Sequence, residues 1–273
     1  MTNKHDILAL ECPRSKPYLP DEDRQREEDL TIGIAFRCND GIVLAGDRFR
    51  KKGDSSGTLV TKVRIITPRK DLIGAMVAAG ASRYIDAVRD RFDRALRAVE
   101  TLEEAQDVID RTCQDIYREY MKSDEGKEPH FSFLIALWNS KEGFRLLLGE
   151  SGAPTSIIED ENYKAIGKGA SLANCLVNTF YSLEGTCEDA AFISVMAVKL
   201  VNEFVDGCDG GTNIIAVMEK GIARPRSASR RQELEDCFLE FFASVKTDLQ
   251  ELIKNSQKHE ESLLIRRTPR CSR

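Results

Sequence analysis

From Thr31 the chain alternates apolar with small or polar positions up to Asn39-Asp40-Gly41, then returns through Ile42, Val43, Leu44 and Ala45 to Asp47. Alternation broken by such a turn predicts a two-strand hairpin. A Gly/Ser-rich turn between Gly53 and Gly57 leads into two more strand-like runs, 59–66 and 71–79. These four strands are expected to form one antiparallel sheet. The period then lengthens: Ile85, Val88, Phe92, Leu96 and Val99 fall at helical spacing, and Thr101-x-x-Glu104 reads as the capping box of a second helix with Val108, Ile109, Ile116 and Tyr120 on its apolar side.

Further on, 131–138 and 144–149 read as strands of a second sheet, followed by a short pair within 156–166. Residues 171–183 and 186–205 read as two more helices, the latter opened by Thr186-x-x-Asp189, and 213–218 as a closing strand. Strands, two helices, strands, two helices and a strand do not fit a doubly wound sheet, which alternates the two types singly. The order suits an α+β protein built as a four-layer αββα sandwich, with two antiparallel sheets between two helix layers. Three segments follow: 1–30, charged and proline-bearing, as a flexible extension; 31–221 as the layered domain; and 222–273 as a basic linker, an amphipathic helix with Leu234, Phe238, Phe241, Val245, Leu249 and Leu252 at spacings of three and four, and a basic tail.

Composition narrows the classes. With 273 residues, 41% hydrophobic and 31% charged, the chain reads as a globular protein able to bury a sizeable core. A net charge of −5 gives no electrostatic reason to expect nucleic acid. No apolar run reaches the roughly eighteen residues of a membrane span, and the first thirty residues contain no signal-peptide core. The eight cysteines are scattered without a C-x-x-C, which favours reduced thiols and a cytoplasmic location. Three widely separated histidines offer neither a metal-ligand pair nor a histidine-based triad, so no metal or cofactor is expected. Gly167-Lys168-Gly169 before a helix lacks the first glycine of a P-loop, and nucleotide binding is not expected.

The hairpin itself carries the chemistry. A threonine hydroxyl needs an adjacent base to act as a nucleophile. A residue's own α-amine, with an ordinary pKa of about 7.7–8.0, is such a base, but only when the threonine is the first residue. A nearby lysine favours the neutral amine by like-charge repulsion, and a carboxylate would hold that lysine. Asp47 ends the strand paired with the one that Thr31 opens, and Lys62 lies on the next predicted strand.

With those residues in order, TIGIAFRCNDGIVLAGD resembles the opening of a proteasome β-type subunit, whose catalytic threonine precedes an aspartate by sixteen positions. LVTKVRII, with Lys62, resembles the strand holding the family's lysine. MVAAGAS resembles the glycine turn that serves the oxyanion, which implies Gly80. AIGKGAS resembles the family's A-I-G-S-G segment. VDGCDGG resembles its D-x-x-S-G-G loop, placing Asp206 on the aspartate and Asp209 on the serine. The likeness runs from Thr31 to about Gly221.

The resemblance implies the N-terminal nucleophile (Ntn) hydrolase fold, a homo-oligomeric ring or related assembly, and a threonine-type peptidase acting on peptide or unfolded protein. An ATP-dependent unfoldase would be needed for folded substrates. Residues 1–30 would be a propeptide, removed to free the Thr31 amine. Three positions depart from the family pattern: Leu30 stands where self-processing subunits carry glycine, and Lys168 and Asp209 stand where they carry serine. Two other readings stay open beside the peptidase: an inactive structural or regulatory subunit, and an amidase of small molecules.

Overall fold

The computed structural model describes residues 31–52, 55–80, 82–123, 131–159, 161–181, 185–205, 208, 210–218, 222–225, 232–234, 236–244 and 247. In chain order the strands are β1 (Ile32–Cys38), β2 (Gly41–Asp47), β3 (Phe49–Lys52), β4 (Ser55–Leu59), β5 (Arg64–Ile66) and β6 (Leu72–Gly80). Helices α1 (Ser82–Ala95) and α2 (Leu102–Ser123) follow, then β7 (Phe131–Asn139), β8 (Gly143–Glu150), β9 (Ser156–Ile157) and β10 (Tyr163–Gly167). Helices α3 (Ala170–Phe180) and α4 (Cys187–Phe204) precede β11 (Thr212–Met218) and β12 (Ile222–Pro225).

Two five-stranded sheets stack face to face, ordered β10-β1-β2-β11-β12 and β5-β6-β7-β8-β9, with β3 and β4 as a separate ribbon. Every described pairing is antiparallel. Alternation along each strand sorts its side chains between two cores. On β1, Ile32, Ile34 and Phe36 join the core shared with α3 and α4, while Ala35 faces the other sheet. On β6 and β7, Leu72, Met76, Phe131, Phe133, Ile135 and Leu137 pack with α1 and α2. Ala75, Val77, Leu134 and Ala136 meet Leu44, Ile215 and Val217 between the sheets. The result is the expected four-layer αββα sandwich.

Two sequence expectations about pairing need correction. The first four strand-like runs do not share a sheet: β1 and β2 lie in one, β5 and β6 in the other. The segment 156–166 is not a pair, because β9 joins β8 while β10 crosses to β1. In both cases local pattern marks a strand but carries no information about its distant neighbour. Both capping boxes form. Thr101 Oγ1 accepts from Glu104 N at 3.1 Å and Thr186 Oγ1 from Asp189 N at 3.3 Å, and each carboxylate accepts from its threonine's N–H in return.

Residues 232–234 and 236–244 are helical, as the C-terminal stripe predicts. Leu234 and Phe238 pack into the α4 core, which shows where the first part of that stripe goes. Phe241 is exposed, and Val245, Leu249 and Leu252 lie outside the described residues. Among the described residues, no helix is long and apolar enough to cross a membrane.

Candidate functional site

The hairpin brings the two ends of 31–47 together, since Gly33 pairs with Gly46 across β1 and β2. Thr31, just ahead of β1, is 3% exposed and Asp47 is fully buried. The Ile32 N–H donates to Asp47 Oδ1 at 3.0 Å, a backbone clamp that fixes the carboxylate beside Thr31. Lys62 completes the group. Its Nζ donates to Thr31 Oγ1 at 2.6 Å and to Asp47 Oδ1 and Oδ2 at 2.9 and 2.8 Å. The lysine side chain is 9% exposed, so this ion pair is shielded from water and charge-assisted on both sides.

Lys62 lies in the loop between β4 and β5 rather than on a strand, contrary to the sequence reading. Strand β5 begins only at Arg64, and the loop is anchored at Val63, whose carbonyl accepts from Asn213 Nδ2 at 3.4 Å. A loop lysine can turn inward to the carboxylate where a strand would fix its direction by parity.

Gly80 ends β6 at φ +112°, paired with Phe131. Its neighbour Ala79 borders the site through Gly167. A Cβ on Gly167, itself at φ +87°, would lie 2.2 Å from the Thr31 carbonyl oxygen and 3.1 Å from Ala79 Cβ. The Gly167-Lys168-Gly169 turn thus lets backbone approach Thr31 where a side chain could not fit. Asp206 and Asp209 lie outside the described residues.

Sequence reading missed two contributors. Asn213 gave only the signal of a strand residue, and Gly167, though part of the AIGKGAS match, gave no sign that it abuts Thr31. Cys208, within the sequence VDGCDGG, is buried and its thiol is pushed up to about 11, first by burial and then by the Asp47 carboxylate, while Lys62 and Lys168 pull the other way. Lys168 is therefore within electrostatic reach of Cys208, as Asp47 and Lys62 are. Among the described residues, no cluster of three or more His, Cys, Asp or Glu side chains is arranged to hold a metal ion.

What the arrangement can do is chemical activation of a hydroxyl. An ammonium 2.6 Å from Oγ1 favours the alkoxide over the alcohol, and the carboxylate keeps that ammonium charged and placed.

Comparison with known proteins gives consistent matches. The family model described as "Proteasome subunit" matches residues 31–218. The chain is 24% identical over 204 residues to proteasome subunit beta 2 of Pyrobaculum arsenaticum, a match that covers 71% of this chain and 93% of the relative. Its fold is similar to that in the helical assembly of the Anbu complex from Pseudomonas aeruginosa, with a TM-score of 0.69 at 10% identity over 81% of this chain and 96% of that one. It is also similar to Anbu (ancestral beta-subunit) from Yersinia bercovieri, with a TM-score of 0.66 at 12% identity over 79% and 96% of the two chains. The four-layer sandwich is the Ntn hydrolase fold of those structures.

Proposed function

Given that the chain belongs to the proteasome subunit family, we propose that it is a threonine-type peptidase whose nucleophile is Thr31, exposed when residues 1–30 are removed as a propeptide. The observation that carries this reading is the Lys62 ammonium 2.6 Å from Thr31 Oγ1, held by a fully buried Asp47. A lone strand-end threonine has no need of such a partner.

In the uncleaved chain the Thr31 nitrogen is an amide and cannot act as a base. Cleavage of the Leu30–Thr31 bond would create an amine on the same residue as the hydroxyl. That amine would take the hydroxyl proton as Oγ1 attacks the scissile carbonyl and return it to the departing amine, leaving an ester to be hydrolysed by water. Lys62 would lower the cost of charge on Oγ1, and Asp47 would hold Lys62. The Gly80 N–H would serve the oxyanion. Asp206 and Asp209 would support the amine from the 206–211 loop.

Residues 31–221 would be the hydrolase domain and 222–273 an appended helix and tail. We further propose a homo-oligomeric ring or related assembly, in line with the Anbu assembly. It would work in the cytoplasm on peptides or unfolded protein, with an ATP-driven unfoldase as the partner for folded ones.

Leu30 favours a second reading. Glycine before the nucleophile eases the tight turn that self-cleavage requires, and leucine does not. An inactive subunit that keeps its extension would need no such turn. A small-molecule amidase uses the same amine and hydroxyl, and it would be processed but would not degrade unfolded protein.

Intact mass with N-terminal sequencing separates these readings, applied to the native chain and to Thr31→Ala. A native chain beginning at Thr31, a mutant left whole, and hydrolysis of unfolded casein only by the former are the expected results. An assembled chain that remains full length and inert would leave the structural subunit as the better account.

A further inference from the structure

At the end of β1 far from Thr31 lies a second group of reactive side chains. Cys38 closes β1 and faces Gly41 across the hairpin. A Cβ placed on Gly41 would lie 3.1 Å from Cys187 Sγ, so the Cys187 thiol occupies the space of the side chain that would oppose Cys38. Opposed residues of an antiparallel pair carry their side chains on the same face, and both Cys38 and Cys187 pack into the core shared with α3 and α4. The two thiols are near enough for each to shift the ionisation of the other. Cys187 is the first residue of α4, and its N–H donates to Asp40 Oδ1 at 2.7 Å, which ties the helix start to the hairpin turn.

The pair is asymmetric in a way that suits stepwise oxidation. Cys38 is partly exposed and Cys187 is buried. The Cys38 thiol is drawn below its ordinary range by the neighbouring Cys187 thiol, aided by the Tyr181 hydroxyl 3.5 Å from its sulfur and opposed by burial and by the Asp40 carboxylate. The Cys187 thiol is pushed up by the neighbouring Cys38 side chain and by burial, and Asp40 adds to the effect. Asp189 is a further charged group near the cluster, acting on Tyr181. A partly exposed outer thiol with a lowered pKa next to an inner one that can resolve it is the arrangement a reversible oxidation needs.

We propose that Cys38 and Cys187 are a redox modification site, closing to a disulfide under a hydroperoxide and fastening the start of α4 to the β1–β2 hairpin. The Cys38 thiolate attacks the peroxide oxygen and the O–O bond breaks. Cys38 becomes a sulfenic acid, and the leaving oxygen takes a proton to depart as water. The Cys187 sulfur then attacks the sulfenic sulfur, giving up its proton and expelling the hydroxyl as a second water. Two thiols and one hydrogen peroxide yield one disulfide and two waters; the thiols lose two electrons in total and the peroxide gains them.

The test is peptide mapping of the full-length protein after treatment with equimolar hydrogen peroxide and alkylation under denaturing conditions. The expected product is a linked pair of peptides containing Cys38 and Cys187, lighter by about 2 Da than the two free-thiol peptides together and separated by dithiothreitol. In Cys38→Ser the link is lost and Cys187 is recovered as a free thiol. The proposal is overturned if both residues are recovered reduced while the exposed Cys175 or Cys237 is oxidised, or if Cys38 advances to sulfinic acid with no link. The native-chain map decides between these outcomes even if the variant does not fold.

Discussion

Asp47 and Lys62 are worth more to each other than either is to the fold. Removing one member of a shielded ion pair leaves the other charge without compensation, at a cost of about 3–5 kcal/mol, whereas replacing both with apolar groups costs far less. Asp47→Ala also strands the Ile32 N–H that the carboxylate accepts. Urea denaturation should therefore show Asp47→Ala losing about 3 kcal/mol or more, with part of the loss recovered in the double variant with Lys62→Met. Equal losses in the two would mean that the pair does not behave as a unit. A second residue-scale expectation concerns thiols. Burial raises Cys113 to about 12 and Cys208 to about 11, so both remain protonated well above neutral pH. Iodoacetamide at pH 8 should label the exposed Cys175 and Cys237 in the native protein and leave Cys113 and Cys208 unmodified. Labelling of Cys208 would begin only as pH approaches its raised value, and rapid reaction at pH 8 would contradict the shielding of the Asp47 neighbourhood.

Among the elements, the turn before α3 is the most exacting, because its backbone reaches the Thr31 carbonyl. Gly167→Ala puts a Cβ 2.2 Å from that oxygen at φ +87°. Gly143, at φ +82° with nothing within 4 Å of its would-be Cβ, bears the backbone penalty alone. Gly143→Ala should cost about 1 kcal/mol, while Gly167→Ala should cost more and lower peptide hydrolysis by about 10²-fold through displacement of Thr31. Similar activities in the two variants would show that the close approach does not position the threonine. This contact also marks the limit of what the sequence makes legible. Asn39-Asp40-Gly41 specifies the β1–β2 hairpin locally, and with it the meeting of Thr31 and Asp47. Nothing local says that β10 returns beside β1, or that β6 pairs with β7 across two helices. The strands of the inner layers are buried on both faces, so FSFLIALW and LIGAMVAA read as continuous apolar runs without a side to assign. Lys62 could be named from its neighbours in sequence, but its place in a loop, fastened by Asn213 from β11, depends on pairing that only the folded chain reveals.

For the molecule as a whole, the segment beyond residue 218 lies outside the part that the family model matches, yet it contributes to the core. Leu234 and Phe238 are 5% and 4% exposed and pack with the residues of α4, whereas Phe242, one turn further on, is 46% exposed. The rings of Phe238 and Phe242 are 5.7 Å apart, so the two residues share a helix and a contact but differ in what lies behind them. If the helix is part of the folded domain, Phe238→Ala opens a cavity against α4 and should lower stability by about 3–5 kcal/mol, while Phe242→Ala should stay within about 1 kcal/mol. If instead the helix only rests on the surface, its detachment would limit the loss from Phe238→Ala to the small free energy of docking, and the two variants would unfold alike. Denaturant midpoints of the two variants, measured on the full chain, separate these cases. A large gap with an unchanged slope would make the helix a structural part of the sandwich, whose α3–α4 layer then has a third member that the family pattern does not supply.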